Sequence, residues 1–206
     1  MLRKGVLPMS RRFTIFGLVA VLSLSVVACG ASTSNATGSG TGATTAAAAA
    51  TSFNDADVTF ASGMIPHHEQ AIAMADIALD PKVGASAKVV DLATRIKQAQ
   101  DPEIKVMAGW LKAWNKPAAM ASSGGHAMSA TDGMMTDIEM KGLGTARGTA
   151  FDRMFNEFMI QHHQGAVTMA ETVKSAGKNA EVKTLADQII KAQRGEIAEM
   201  QASLGK

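Results

Sequence analysis

From Asn54 onward apolar residues recur every three or four positions, the spacing of one helix face. Phe60, Met64, His67, Ala71, Met74 and Ala78 form the first stripe, with Asn54 or Asp55 as its cap and Pro66 predicting a kink. Asp80-Pro81 breaks the pattern and offers a cap and a first-turn proline to the next helix. That helix reads Val89, Leu92, Ile96, Gln100, Ile104, Met107, Leu111 and Trp114, with a second kink expected at Pro102 and an end at Asn115-Lys116-Pro117. Residues 118 to about 145 show no period. A third stripe starts near Thr145 with Phe151, Phe155, Phe158, His162, Ala166, Met169 and Val173. After Gly177-Lys178-Asn179 a fourth carries Val182, Leu185, Ile189, Ala192, Ile197, Met200 and Leu204. Trp110 and Trp114 read as core.

The stripes repeat. Asp57, Phe60, Met64, His67, His68, Ala71, Met74 and Ala75 recur 95 residues later as Asp152, Phe155, Met159, His162, His163, Ala166, Met169 and Ala170. Ile96, Gln100, Glu103, Ile104 and Met107 recur 93 later as Ile189, Gln193, Glu196, Ile197 and Met200. The two-residue difference falls in the turn between helices, where deletions are tolerated. Each half is a helical hairpin unable to cover its own apolar face, so the halves must pair. The expected fold is all-α: a four-helix bundle built from two repeated hairpins, ferritin-like if the long central segment runs the bundle's length. Few aromatics and no tyrosine agree with helices rather than sheet.

Composition changes the picture at the N-terminus. Arg3, Lys4, Arg11 and Arg12 precede an apolar run from Phe13 to Ala28, an export leader too short for a good membrane span. The leader is assigned to residues 1–28. Without its four cations, 16 basic residues face 18 acidic ones, and the formal +2 becomes −2. A nucleic-acid partner has no electrostatic footprint there. Val26-Val27-Ala28-Cys29-Gly30 looks like a lipobox, making Cys29, the sole cysteine, the expected lipidation site. Ordinary cleavage near Ala28 is the alternative. Residues 29–53, rich in Ser, Thr, Gly and Ala, bury too little apolar area to fold and read as a tether. The bundle follows over 54–206, lipid-anchored on the outer face of the cell membrane, or else periplasmic or secreted.

Four of the five histidines lie in two His-His pairs, each with a Met three and four residues before and another seven after the first His. Those spacings put thioether and imidazole on one stripe. Reduced copper prefers these donors, whereas magnesium and calcium take oxygen. Outside the cytoplasm, Met and His avoid the oxidation that thiols suffer. Copper, as Cu(I) rather than Cu(II), is therefore the expected metal, with no organic cofactor. Oxidised copper would draw on the imidazoles and on Asp57 or Asp152. Gln100, Glu103, Gln193 and Glu196 are candidates to hold the imidazoles, or else a solvated helix flank. His67 and His162 are expected to face inward and their neighbours the edge. Met120, His126, Met128, Met134 and Met135 make the loop at about 116–145 a candidate for metal capture. Met at helical spacing also fills cores, and a duplication copies packing as faithfully as chemistry. No His has a Glu three residues before it, so di-iron chemistry lacks its motif. Neither a nucleophilic triad nor a P-loop is present, and no enzyme is expected.

Asp-x-x-Phe, Met-Ile-x-His-His and Ala-x-x-Met-Ala, with Gln-x-x-Glu-Ile-x-x-Met in each second helix, resemble the bacterial DUF305 family over residues 55 to 204. Gly133-Met134-Met135 ahead of the second hairpin is similar too. The resemblance implies secreted or lipid-anchored ferritin-like bundles, some linked to copper binding and tolerance. By position it implies His67, His68, His162 and His163 as metal ligands with their flanking Met64, Met74, Met159 and Met169. Pro102 departs from the family's usual unbroken second helix. The expected function is an extracytoplasmic copper-binding lipoprotein that buffers, stores or hands on copper without a catalytic step, with a delivery partner or a second copy as its protein contacts. A metal-free partner-binding module and a ferritin-like redox enzyme are the alternatives.

Overall fold

The computed structural model describes residues 52–117 and 133–205. The leader, Cys29, most of the tether, and Met120, His126 and Met128 of the central loop lie outside them. Five helices are present among the described residues: α1 Asp55–Leu79, α2 Ala87–Ala113, α3 Asp137–Thr145, α4 Gly148–Ala176 and α5 Ala180–Ser203.

Local chemistry sets the ends. Asn54 caps α1 through a reciprocal bond with Asp57, and Asn179 caps α5 by accepting from the N–H groups of Glu181 and Val182. Both α1 and α2 continue through their prolines. The second helix does not start at Asp80-Pro81. Residues 81–83 form a turn, and Ser86 is the N-cap of α2. The delay lets Val83 plug the core at 3% exposure while its carbonyl accepts from the N–H of Gly148 (2.9 Å). Asn115, in the left-handed region at φ 55°, ends the helical path beyond α2.

The long central segment is not wholly aperiodic. Thr136 and Glu139 form a capping box that starts α3, a Thr-x-x-Glu signature readable in the sequence. Leu143, Met135 and the half-buried Met140 turn inward against Phe151, Phe155 and Met74. Ahead of α3, Gln70 clamps Met135, donating to its carbonyl (2.8 Å) and accepting from its N–H (2.7 Å).

Direction follows from the contacts at the ends. Asn54 at the start of α1 donates to the Ala176 carbonyl at the end of α4 (2.8 Å). Gly148 at the start of α4 touches Val83 just before α2. The four long helices thus run up, down, down, up, and the chain between α2 and α4 passes from one end of the bundle to the other. This is ferritin-like connectivity. Within each hairpin the helices pack along their length, and the hairpins meet chiefly through α1 and α4.

The 95- and 93-residue offsets are a pseudo-twofold axis in space. Asp57, fully buried, accepts from the N–H groups of Lys178 (3.0 Å) and Asn179 (3.2 Å). Its counterpart Asp152 accepts from the N–H of Ser86 (3.0 Å). Ser86 and Asn179 are themselves the matching N-caps. Each Asp therefore pins the first helix of one hairpin to the second helix of the other.

Candidate metal centre

The axis passes between His67 and His162. Their ring centroids are 3.7 Å apart with planes tilted by 40°, and both residues are completely buried. Two imidazoles this close cannot both carry charge in a dry interior. Burial first, then repulsion from His67, His163 and His68, holds the His162 pKa well below the usual histidine value; a contact with the His67 backbone opposes this weakly.

His68 and His163 are not at the edge. They too are fully buried, because the second helix of each hairpin covers them. His68 Nε2 lies 2.7 Å from Glu103 Oε2 on α2, and His163 Nε2 lies 2.7 Å from Glu196 Oε2 on α5. A carboxylate only accepts, so each Nε2 carries the hydrogen and Nδ1 is left with a bare lone pair. Each Nδ1 is buried without a hydrogen-bond partner. The two glutamates are partly solvent-exposed, with side-chain exposures of 19% and 13%. They join the buried rings to a narrow cleft between α2 and α5.

That cleft, about 10 Å³ and so roughly one water in size, is lined by Ile96, Ala99, Gln100, Glu103 and their exact repeats Ile189, Ala192, Gln193 and Glu196. Gln100 and Gln193 are buried there, each with an unpartnered Oε1. Orphaned acceptors are costly in a core, at about 1–3 kcal/mol each. Their concentration around one axis makes this the candidate site.

Methionines flank the histidine layer on both sides. Met64 and Met107 lie fully buried in one apolar cluster, with Met169 half-buried beside it; Met74, Met159 and Met200 lie fully buried in the other. Met64 and Met159 stand about one turn from the inner histidines, whereas Met74 and Met169, seven residues away, are about 10 Å along the helix. Met107 and Met200, read from the sequence only as an apolar stripe, are nearer by register. The hydrogen bond pairing His68 with Glu103 in an antiparallel hairpin puts Met64 opposite Met107, and the His163–Glu196 bond puts Met159 opposite Met200. Equal residue-number sums across each hairpin were the available signal.

Other candidates are placed elsewhere. Asp57 and Asp152 serve the turns, ten residues and so about 15 Å along the helix from His67 and His162. Met135 is core at 4% exposure, its backbone clamped by Gln70, and Met134 is half-buried beside it. Among the described residues, no three His, Cys, Asp or Glu side chains form a ready-made metal cluster; the candidate donors gathered near the axis are imidazole and thioether.

The family model for a domain of unknown function, DUF305, matches residues 57–204. A DUF305 fragment from Deinococcus radiodurans is 34% identical with a TM-score of 0.65, covering 74% of this chain and 97% of that one. A DUF305 protein from Streptomyces coelicolor is 33% identical with a TM-score of 0.64, covering 73% and 91%. CopM in its Cu(II)-bound form is 37% identical with a TM-score of 0.59, covering 71% and 93%; it is also known in Cu(I)-bound and silver-bound forms. No curated protein matches the chain. On the family match and the shared fold, the chain belongs to the DUF305 family.

Proposed function

We propose that this protein binds copper outside the cytoplasm and buffers, stores or passes it on without turning over a substrate. One observation carries the reading: four fully buried histidines gathered at the pseudo-twofold axis, with unpartnered ring nitrogens on His68, His162 and His163 and buried methionines on either side. A core that merely needed filling would use leucine there and avoid the orphaned acceptors. Imidazole and thioether suit copper, and Cu(I) more than Cu(II). CopM, similar along the whole bundle, binds copper in both oxidation states and silver. His67, His68, His162, His163, Met64 and Met159 are the donors nearest the axis, with Met74 and Met169 farther out.

The Streptomyces coelicolor relative carries a secreted designation. No described helix is long and apolar enough to cross a membrane. We read residues 1–28 as an export leader and Cys29 as the lipidated anchor of a tethered domain.

The test is a Cu(I) titration against a competing chelator, comparing the protein with a His67→Gln/His68→Gln/His162→Gln/His163→Gln variant. The expected result is loss of tight binding in a variant that still gives a helical, cooperative melt. Equal binding by both proteins removes the bundle site from consideration.

A further inference from the structure

We propose that the cleft between α2 and α5 is a second site, an all-oxygen pocket for one hard divalent cation, with Gln100, Glu103, Gln193 and Glu196 as its ligands.

Two hairpins build it. Gln100 and Glu103 come from α2, Gln193 and Glu196 from α5, and residues three apart on a helix share a face. The unmet demand in the cleft is for positive charge. Gln100 and Gln193, 2% and 3% exposed, each carry an Oε1 that meets no donor. Each glutamate commits Oε2 to a histidine Nε2 at 2.7 Å, which leaves its Oε1 for another partner. The remaining lining residues are Ile96, Ala99, Ile189 and Ala192, so no Lys or Arg balances the two carboxylates there.

A single water is the simpler guest by size, since the cleft holds about 10 Å³. Water, however, brings two hydrogens to four oxygens and carries no net charge. A divalent cation of similar size meets all four oxygens at once and cancels both carboxylate charges. No Met or His lines the cleft, so its donors select a hard ion over a soft one. The glutamates, with side-chain exposures of 19% and 13%, leave an opening for the ion to enter and for water to complete its shell. None of the ligands named for copper is used again, so the two readings stand or fall separately.

The probe is Mn²⁺, titrated into chelator-stripped protein and followed by electron paramagnetic resonance. One equivalent per chain should bind, and the melting temperature should rise with it. Glu103→Gln/Glu196→Gln keeps side-chain volume and still accepts from each histidine Nε2, yet should abolish the bound equivalent and the thermal shift, because it removes both charges. Gln100→Leu/Gln193→Leu should weaken binding by about 10-fold or more, two oxygen ligands being lost. A melt without metal checks that each variant folds. Stripped protein that takes up no Mn²⁺ overturns the proposal, as a resident water would give that result. Binding by the glutamate variant equal to that of the parent also overturns it, as the mark of adventitious surface binding. Should that variant fail to fold, undiminished affinity in Gln100→Leu/Gln193→Leu overturns the proposal on its own. Copper uptake by a protein that refuses Mn²⁺ leaves the copper reading intact, and Mn²⁺ uptake without copper does the reverse.

Discussion

Adjacent histidines in this protein have divided labour. One of each pair packs against its counterpart across the axis; the other turns to a glutamate on its own hairpin. The central His162 gives a pH test. Its folded pKa lies well below the ordinary 6.5, so below that pH the unfolded chain binds a proton that the folded chain refuses. Protons then favour unfolding, and the stability present above pH 6.5 is lost as pH falls through it. Metal-free protein should melt at progressively lower temperature from pH 7 to pH 5, and His162→Gln should flatten that slope. Asp57 offers a contrasting prediction. Its carboxylate accepts from the N–H groups of Asn54, Lys178 and Asn179. Asp57→Ala should cost about 2–3 kcal/mol in denaturant melts by orphaning these donors, while copper affinity stays unchanged. A large loss of copper binding in a folded D57A protein would return Asp57 to the metal site.

Among the elements, the crossover between the hairpins is the one that breaks the twofold. Its last part, Gly133 to Thr145, covers the cluster containing Met74 and Met159 and, among the described residues, has no counterpart over the cluster containing Met64. This explains why Met74 is sealed while its repeat Met169 is half-exposed. Gly133 makes the entry possible. It sits at φ 78°, and a Cβ there would overlap the carbonyl oxygen of Gln161 and lie 3.2 Å from Gly165 Cα. Gly133→Ala should destabilise the fold by about 1–3 kcal/mol, measured by urea denaturation. A neutral result would mean that the crossover does not need this close approach to α4.

For the whole molecule, the copper proposal requires that metal and stability be linked. The candidate donors come together only when the helices pack, so an ion that binds the folded protein alone would raise its stability by mass action. At free ion a hundredfold above the dissociation constant, the gain is about 2.7 kcal/mol per site. Cu(I) or Ag(I) should raise the melting temperature and a competing chelator should restore it. Coincident melts with and without metal would favour a bundle whose purpose lies in protein contacts.

Much of this architecture was legible in the residues themselves. Helical periodicity, a cap at Asn54, a turn at Gly177-Lys178-Asn179, and a doubled Met/His pattern determine four long helices and their pairing, because each follows from contacts within a turn or from the need to cover an apolar stripe. The start of α2 and the existence of α3 were not read correctly. Val83 must reach a core that belongs partly to the other hairpin, and Thr136-Glu139 is too short a signal to stand out in an aperiodic stretch. Which histidine faces what was beyond any local rule. A 100° difference around a helix separates neighbouring positions, but only the packing of α2 and α5 decides that the second of each pair is buried against a carboxylate instead of exposed. Asp57 and Asp152 share the stripe of the histidines and still belong to the turns, since position along the axis, not helix face, sets what a side chain meets. The sequence determines the candidate donors and their symmetry; only the folded bundle sorts them into a central pair in contact, two carboxylate-held imidazoles and methionines divided between two clusters, because those relations join residues 33 to 95 positions apart.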